Sequence, residues 1–194
     1  MLSYFPFTRP KPSDFGMTAL SHLRSLTNFS MGMNELSPMS VAKVQSTVLY
    51  SMNNRTGQNA DLVTRRCAIA TMAEQKVAEH MNGFVMNCDI DFNDPFTYAF
   101  DVLSGIDFYG ARIEVKTHQS NSRWISVNLD ERNSTGHMNL FHFLNFDVSD
   151  YITIFNSSQY ADNGYNFSCA FVGTKHELQR VIRKSNYNGW YLHI

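Results

Sequence analysis

The stretch Asp101-Val-Leu-Ser-Gly-Ile-Asp-Phe-Tyr-Gly-Ala-Arg-Ile-Glu114-Val-Lys116-Thr117 decides how the rest of the chain is read. From Ala111 to Thr117 the residues alternate, with Ile113, Val115 and Thr117 on one side and Arg112, Glu114 and Lys116 on the other. A period of two is the mark of a strand, and it sets Glu114 and Lys116 side by side on one face. Gly105 to Gly110 holds turn residues, and Thr97 to Leu103 reads as the preceding strand. A turn centred near Asp107 and Phe108 then brings Asp101 across from Glu114. Two carboxylates opposed on a sheet repel each other. A hard divalent cation between them removes that cost, and oxygen ligands suit Mg2+ or Mn2+. A lysine beside the pair can position a water or stabilise negative charge that develops on a phosphate. Spacing alone favours a plainer alternative, a surface hairpin with a solvated acidic and basic face, because Glu-x-Lys is a common tripeptide.

Upstream of this hairpin the pattern is helical. Ser13 can cap a helix carrying Phe15, Leu20, Leu23 and Leu26. Ser37-Pro38 opens a second with Val41, Val44, Val48 and Met52 on one side, and proline at a first helical position suits that start. Asn59 or Asp61 can cap a third, which stops at Asn82-Gly83. Residues 53–59 form the best internal linker. The division expected is therefore a helical N-terminal extension over 1–58 and a core domain over 59–194. Downstream, Trp124 to Leu129 reads as the third strand of a meander, and His137 to Phe146 as a short helix. Tyr151 to Phe155 and Phe167 to Val172 read as strands, Thr174 to Lys184 as a last helix, and Gly189 to Ile194 as a terminal strand. Helices followed by a meander, a helix, two strands and a helix describe an α/β or α+β fold with a mixed sheet.

Composition bounds the function. The chain has 194 residues, 43% of them apolar, with 15 Phe and 9 Tyr, which is enough for a substantial core. A formal net charge of −1 argues against coating nucleic acid by bulk charge but leaves room for a local basic groove. The scattered cysteines Cys67, Cys88 and Cys169 give neither a disulfide framework nor a zinc site, and read as reduced core thiols. The N-terminal residues MLSYFPFTRPKP lack a signal-peptide pattern, and no apolar run reaches the roughly 20 residues of a membrane span. The expectation is a soluble, cytoplasmic protein with no membrane partner. No Walker-type glycine loop, Gly-x-Ser-x-Gly elbow or His-Glu-x-x-His motif is present.

The segment from Phe100-Asp101-Val-Leu to Gly-Ala-Arg-Ile-Glu114-Val-Lys116-Thr117 resembles the core of the PD-(D/E)xK nuclease superfamily, also called restriction-endonuclease-like. Members share a helix, a three-stranded meander, a helix and a further strand, with the motif Asp on the first meander strand and Glu-x-Lys on the second. The resemblance spans roughly residues 61–184 and leaves out the first sixty. Asp101 follows Phe100 where the motif has Pro, and Asp94-Pro95 is a reversed pair that competes for the same role. The resemblance implies a restriction-endonuclease-like core and a Mg2+- or Mn2+-dependent deoxyribonuclease, most simply an endonuclease. It implies DNA as partner, Asp101, Glu114 and Lys116 as catalytic residues, and Asp101, Glu114 and Val115 as metal ligands. Double-strand cutting often uses a homodimer, so that assembly stays open beside a monomer. The abundance of Asn, Phe, Tyr and Met suggests a phage endonuclease, which would act in the host cytoplasm.

Other residues belong to the same picture. On an ideal helix Val63, Cys67, Ala70, Val77 and Met81 share a face, and Glu74 falls inside it. A buried carboxylate is costly without a partner, so a metal or a lysine at the sheet is expected, and superfamily members often place a helix acid near the site, which implies Glu74 as a fourth catalytic residue. The plainer alternative sets Glu74 at the edge of the stripe or pairs it with Arg66. His118 and Gln119 continue from Lys116 and, with Arg123, are candidates for substrate contact; the simple end of a strand is the alternative. Lys175, Arg180, Arg183 and Lys184 form a row that could follow phosphates, or the solvated face of an amphipathic helix. Two other functions compete: a non-catalytic DNA-binding module on this fold, and a protein-interaction module built on aromatic patches.

Overall fold

The computed structural model describes residues 12–54, 57–86, 100–119, 124–131, 137–186 and 189–193, with the side chains of 12–17 and Asn54 left aside. Arg123, Cys88, the Asp94-Pro95 pair and the start of the expected strand at Thr97 lie outside the described residues. Among the described residues the fold is mixed α/β: one six-stranded mixed sheet, one four-stranded sheet, and helices packed on them. No helix among them is long and apolar enough to cross a membrane.

Helix α1 spans Pro12–Ser25 and strand β1 Asn28–Gly32. Helix α2, Pro38–Asn54, starts where the Ser37-Pro38 signal places it, with the Ser37 hydroxyl accepting from the Ser40 N–H. Helix α3, Ala60–His80, is capped by Asn59, whose side chain accepts from the Leu62 N–H at 3.0 Å. Its buried face centres on Ile69, Met72, Ala73 and Val77, and it ends at Asn82-Gly83. Gly83 is required by contact: a Cβ there would meet the Leu103 carbonyl oxygen at 2.2 Å.

Strands β2 (Phe84–Val85), β3 (Val102–Leu103) and β4 (Arg112–His118) form an antiparallel meander. Between β3 and β4 the chain turns through Ile106–Phe108, with Tyr109 and Gly110 at positive φ. Strand β7 (Tyr151–Ala161) lies parallel to β4, and β8 (Gly164–Gly173) antiparallel to β7. The order across the large sheet is β1-β8-β7-β4-β3-β2. Asp150 fixes the β4–β7 register. Its carboxylate accepts from the Arg112 N–H at 2.8 Å and pairs with the Arg112 guanidinium at 2.9 Å.

The segment Trp124 to Leu129 departs from expectation. It forms β5 (Trp124–Asn128) in the four-stranded sheet with β6 (Met138–Asn139), β9 (Ile182–Lys184) and β10 (Trp190–His193). The alternation of Ile125 and Val127 is as expected, but their apolar face packs with Ile152 and Ile154 of β7 as a second layer instead of extending the meander. The meander is completed by β2 instead, so Asp101 adjoins its second strand and Glu114 lies on its third. The last helix also ends early. Helix α5 covers Lys175–Val181, after which Ile182–Lys184 pair with β10. Backbone pairing to β10 and the apolar contact of Ile182 with the second core replace the final helical turn, so Arg183 and Lys184 leave the helical row. Between β6 and β7 the short helix α4 spans Phe141–Asn145.

Residues 1–58, expected as a helical extension, contribute a strand as well. Leu20, Leu23 and Leu26 join α3 and the large sheet in the main core, and β1 pairs along β8. That core holds Ile113, Val115, Tyr151 and Phe155, while Ile152 and Ile154 on the other face of β7 belong to the second. Glu114 and Lys116 lie in register with Ile152 and Ile154.

Candidate active site

Extending the β3–β4 register by one residue puts Asp101 opposite Glu114, since Val102 faces Ile113. The Asp101 N–H donates to the Ile113 carbonyl at 3.1 Å, so the ladder continues to that residue. The Asp101 side chain then turns into the ladder, and its Oδ2 accepts from the Val115 N–H at 2.8 Å. This holds the carboxylate against β4, one residue from both Glu114 and Lys116. Lys116 Nζ is ion-paired with Glu114 Oε1.

The charges are strongly coupled. Burial pushes the Glu114 carboxyl up to about 7; Lys116 pulls it down, and the charges of Asp101 and Glu74 push it up. Burial pulls Lys116 down, but Glu114 and Asp101 outweigh it and hold the ammonium above its ordinary value. Lys116 is therefore a fixed cation near neutral pH.

Glu74 comes within electrostatic reach of this cluster from α3. Burial raises its pKa, Lys43 opposes that rise, and Asp101 adds to it. Its ion-pair partner is not Arg66 but Lys43 of α2, which approaches its Oε2 at 2.6 Å, and Lys116 of the sheet adds a smaller stabilising charge. Lys43 is the residue that sequence reasoning missed. It lies on the buried side of α2 with Ser40 and Val44, whereas Val41 of the expected apolar stripe is exposed, so the stripe itself gave no sign of it. Cys67, on the same helix, has its thiol raised by burial and then by Glu74.

The flanking candidates separate. His118 ends β4 with its Nδ1 buried and no hydrogen-bond partner among the described residues. Gln119 follows and lines a cavity with Arg65 and Tyr165. Arg180 lies exposed in the last turn of α5, whereas Arg183 and Lys184 lie on β9, and Lys184 lines a different cavity beside Trp124 and Trp190. The structure thus groups Asp101, Glu114, Lys116 and Glu74, and puts Arg183 and Lys184 on a second sheet.

The family model described as bacteriophage T4 endonuclease IV matches residues 16–194. The chain belongs to that family. A relative named Endonuclease IV, from Enterobacteria phage T4, is 39% identical over 178 residues, covering 90% of this chain and 96% of its own. No solved structure matches the chain. Family membership makes the chain an endonuclease, and the match runs through α1 and β1 as well as the hairpin that carries Asp101 and Glu114.

Proposed function

We propose that this DNA endonuclease hydrolyses the phosphodiester bond with a divalent cation, Mg2+ or Mn2+, at the Asp101–Glu114–Lys116 cluster. The observation that carries the reading is the register that opposes Asp101 to Glu114, with Lys116 two residues along the same strand. The fold gives further support. Helix α3, the antiparallel β2-β3-β4 meander, α4 and the parallel strand β7 occur in the element order of a restriction-endonuclease-like core of the PD-(D/E)xK kind, with β5 and β6 inserted before α4 and the motif residues one meander strand later than expected.

The donor set fits such an ion. Asp101 and Glu114 are hard oxygen donors on adjacent strands, and the proton affinity of Glu114 is raised by Asp101, a repulsion that a cation relieves. Val115, held to Asp101 through its N–H, can add only its main-chain carbonyl. Among the described residues no three His, Cys, Asp or Glu side chains group closely enough to cage an ion by themselves. That suits Mg2+, which takes one or two carboxylates and fills the remaining positions with water and substrate phosphate. When bound, the ion supplies Lewis-acid polarisation of the phosphate and lowers the pKa of a water. Lys116, kept protonated by its acidic neighbours, donates to phosphate oxygens as negative charge grows on them. Glu74, already answered by Lys43, acts through its charge on Asp101 and Glu114 and takes no direct part in the chemistry.

The test is cleavage of single-stranded, duplex and branched DNA in Mg2+ and in EDTA, for wild type and Asp101→Asn. Cleavage that requires Mg2+, with cation affinity weakened in Asp101→Asn, is the expected result; undiminished cleavage in EDTA would remove the cation from the mechanism.

A further inference from the structure

The four-stranded sheet turns an apolar side to the large sheet and an aromatic side away from it. Ile125, Val127 and Leu192 pack with Ile152 and Ile154 of β7. Strand alternation sends Trp124, Ser126, Tyr191 and His193 the other way, and the register sets His193 opposite Trp124 and Tyr191 opposite Ser126. His193 stacks on the Trp124 indole with ring centroids 4.4 Å apart, and Tyr191 meets it edge-on at 4.8 Å. Trp124 nevertheless stays 53% exposed. A single exposed apolar side chain is ordinary, but a braced group of rings on one sheet face marks a binding surface.

Beside these rings opens a cavity of about 430 Å³, the size of an ordinary ligand site. Trp124, Ser126, His137 and Tyr191 line it, together with residues flanking the β9–β10 turn, among them Lys184 and Trp190. None of the described residues that line it carries a carboxylate. Cations stand at its edge. Lys184 is part of the lining, Arg183 lies in register with Tyr191, and Arg183 Nη1 donates to the Arg180 carbonyl, which keeps Arg180 close by. All three are exposed, and β9 is the edge strand of its sheet. Rings for bases beside cations for phosphates is the composition of a groove that takes unpaired nucleic acid.

The small sheet lies on the same side of the large sheet as Glu114 and Lys116. Those two residues are in register with Ile152 and Ile154, on which the small sheet packs. Eight positions along the chain separate Lys116 from Trp124, so their Cα atoms lie within about 29 Å of each other at ~3.6 Å per residue. One bound strand can therefore reach both.

We propose that Trp124, braced by His193 and Tyr191, stacks an unpaired base of the DNA at a site separate from the cleavage centre, while Arg180, Arg183 and Lys184 hold the phosphates beside it. The proposal rests on the DNA-endonuclease reading above but not on the cation or on Lys116. Its test measures binding in EDTA, so that failure of the cleavage mechanism leaves the result readable. A labelled single-stranded oligodeoxynucleotide and an abasic strand of the same length are titrated by fluorescence anisotropy against wild type, Trp124→Ala and Trp124→Phe. Wild type should bind the strand with bases about ten-fold or more tightly than the abasic one, the range of one base–aromatic stack. Trp124→Ala should bind both strands alike, and Trp124→Phe should keep most of the preference. Melting temperatures should scarcely move, because Trp124 belongs to neither core. The chain has two tryptophans, so in Trp190→Phe the intrinsic emission reports Trp124 alone, and the strand with bases should quench it. Absence of binding in EDTA, an undiminished preference in Trp124→Ala, or Trp124 emission that bound DNA leaves unchanged would each overturn the assignment. A concentration-dependent dimer that Trp124→Ala abolishes would give the surface to self-association instead, and overturn it as well.

Discussion

Two lysine–glutamate pairs lie within electrostatic reach of Asp101, and their surroundings differ. Lys43 and Glu74 join two helices, and their side chains are 9% and 8% exposed. Lys116 and Glu114 share one strand, and the lysine side chain is 30% exposed. The first pair is closed within the protein, away from solvent. The second opens outward through Lys116, while Glu114 is 12% exposed, so a phosphate can compete for the lysine. Similar chemistry thus yields a closed clamp in one place and an accessible lysine in the other, and access makes the difference.

Breaking the clamp should produce the largest effect. Removing one member of a buried pair leaves a charge without compensation and typically costs about 3–5 kcal/mol. Lys43→Met should lower unfolding free energy by that order in a urea titration. Lys43→Met with Glu74→Met should recover much of it, since an apolar pair of similar size carries no stranded charge. If Lys43→Met alone were neutral, the two pairs would not differ in the way described.

The open pair should respond in rate more than in stability. Lys116→Ala is expected to slow cleavage by about 10²–10³, the usual loss when one preorganised charge is removed. Its unfolding free energy should fall by less than that of Lys43→Met, because solvent reaches the gap. Comparing single-turnover rates and urea midpoints for both variants shows whether the effects separate.

Glu114 offers a finer measurement. With its pKa raised by burial to about 7 in the folded protein, above the ordinary 4.5, the folded state binds the proton more tightly. Its contribution to stability is fully present below about pH 4.5 and is lost as the pH rises through 7. Carbon-detected NMR of the metal-free protein should show a carboxyl titrating near 7, and Lys116→Ala should move that midpoint higher, since the lysine pulls it down. A midpoint at the ordinary glutamate value would mean the site is wetter than its geometry indicates.

Much of the open pair was legible in the sequence because it is local. Alternation across Arg112 to Thr117 fixed the shared face, and turn residues between Gly105 and Gly110 predicted which residue meets Glu114. Helix α3 was equally readable, because the Asn59 cap and the Asn82-Gly83 stop are signals within a few residues of the ends they mark. The clamp was not readable. Thirty-one positions separate Lys43 from Glu74, and nothing local tells a buried carboxylate which helix will answer it. The same limit explains β5 and β9. Ile125 and Val127 announce an apolar face but not the layer it packs on, and Ile182 fits a helix stripe until β10 supplies a strand partner. The cavity beside Trp124 joins strands distant in sequence, so no local motif marks it.

The smallest effect tests whether the clamp holds a charge. Cys67 lies seven residues before Glu74, and its thiol is raised first by burial and then by the Glu74 charge. Glu74→Gln leaves the burial nearly unchanged and removes the charge. The thiolate fraction of Cys67 at pH 8 should therefore increase, and its reaction with a disulfide reagent should quicken. The change should be modest, roughly two- to five-fold, as for one screened charge worth about 0.4–1 kcal/mol. Cys88→Ser and Cys169→Ser provide the background in which only Cys67 reports. A rate unaffected by Glu74→Gln would mean that Glu74 is neutral at that pH. The ion-pair contribution to the stability loss expected for Lys43→Met should then vanish with it.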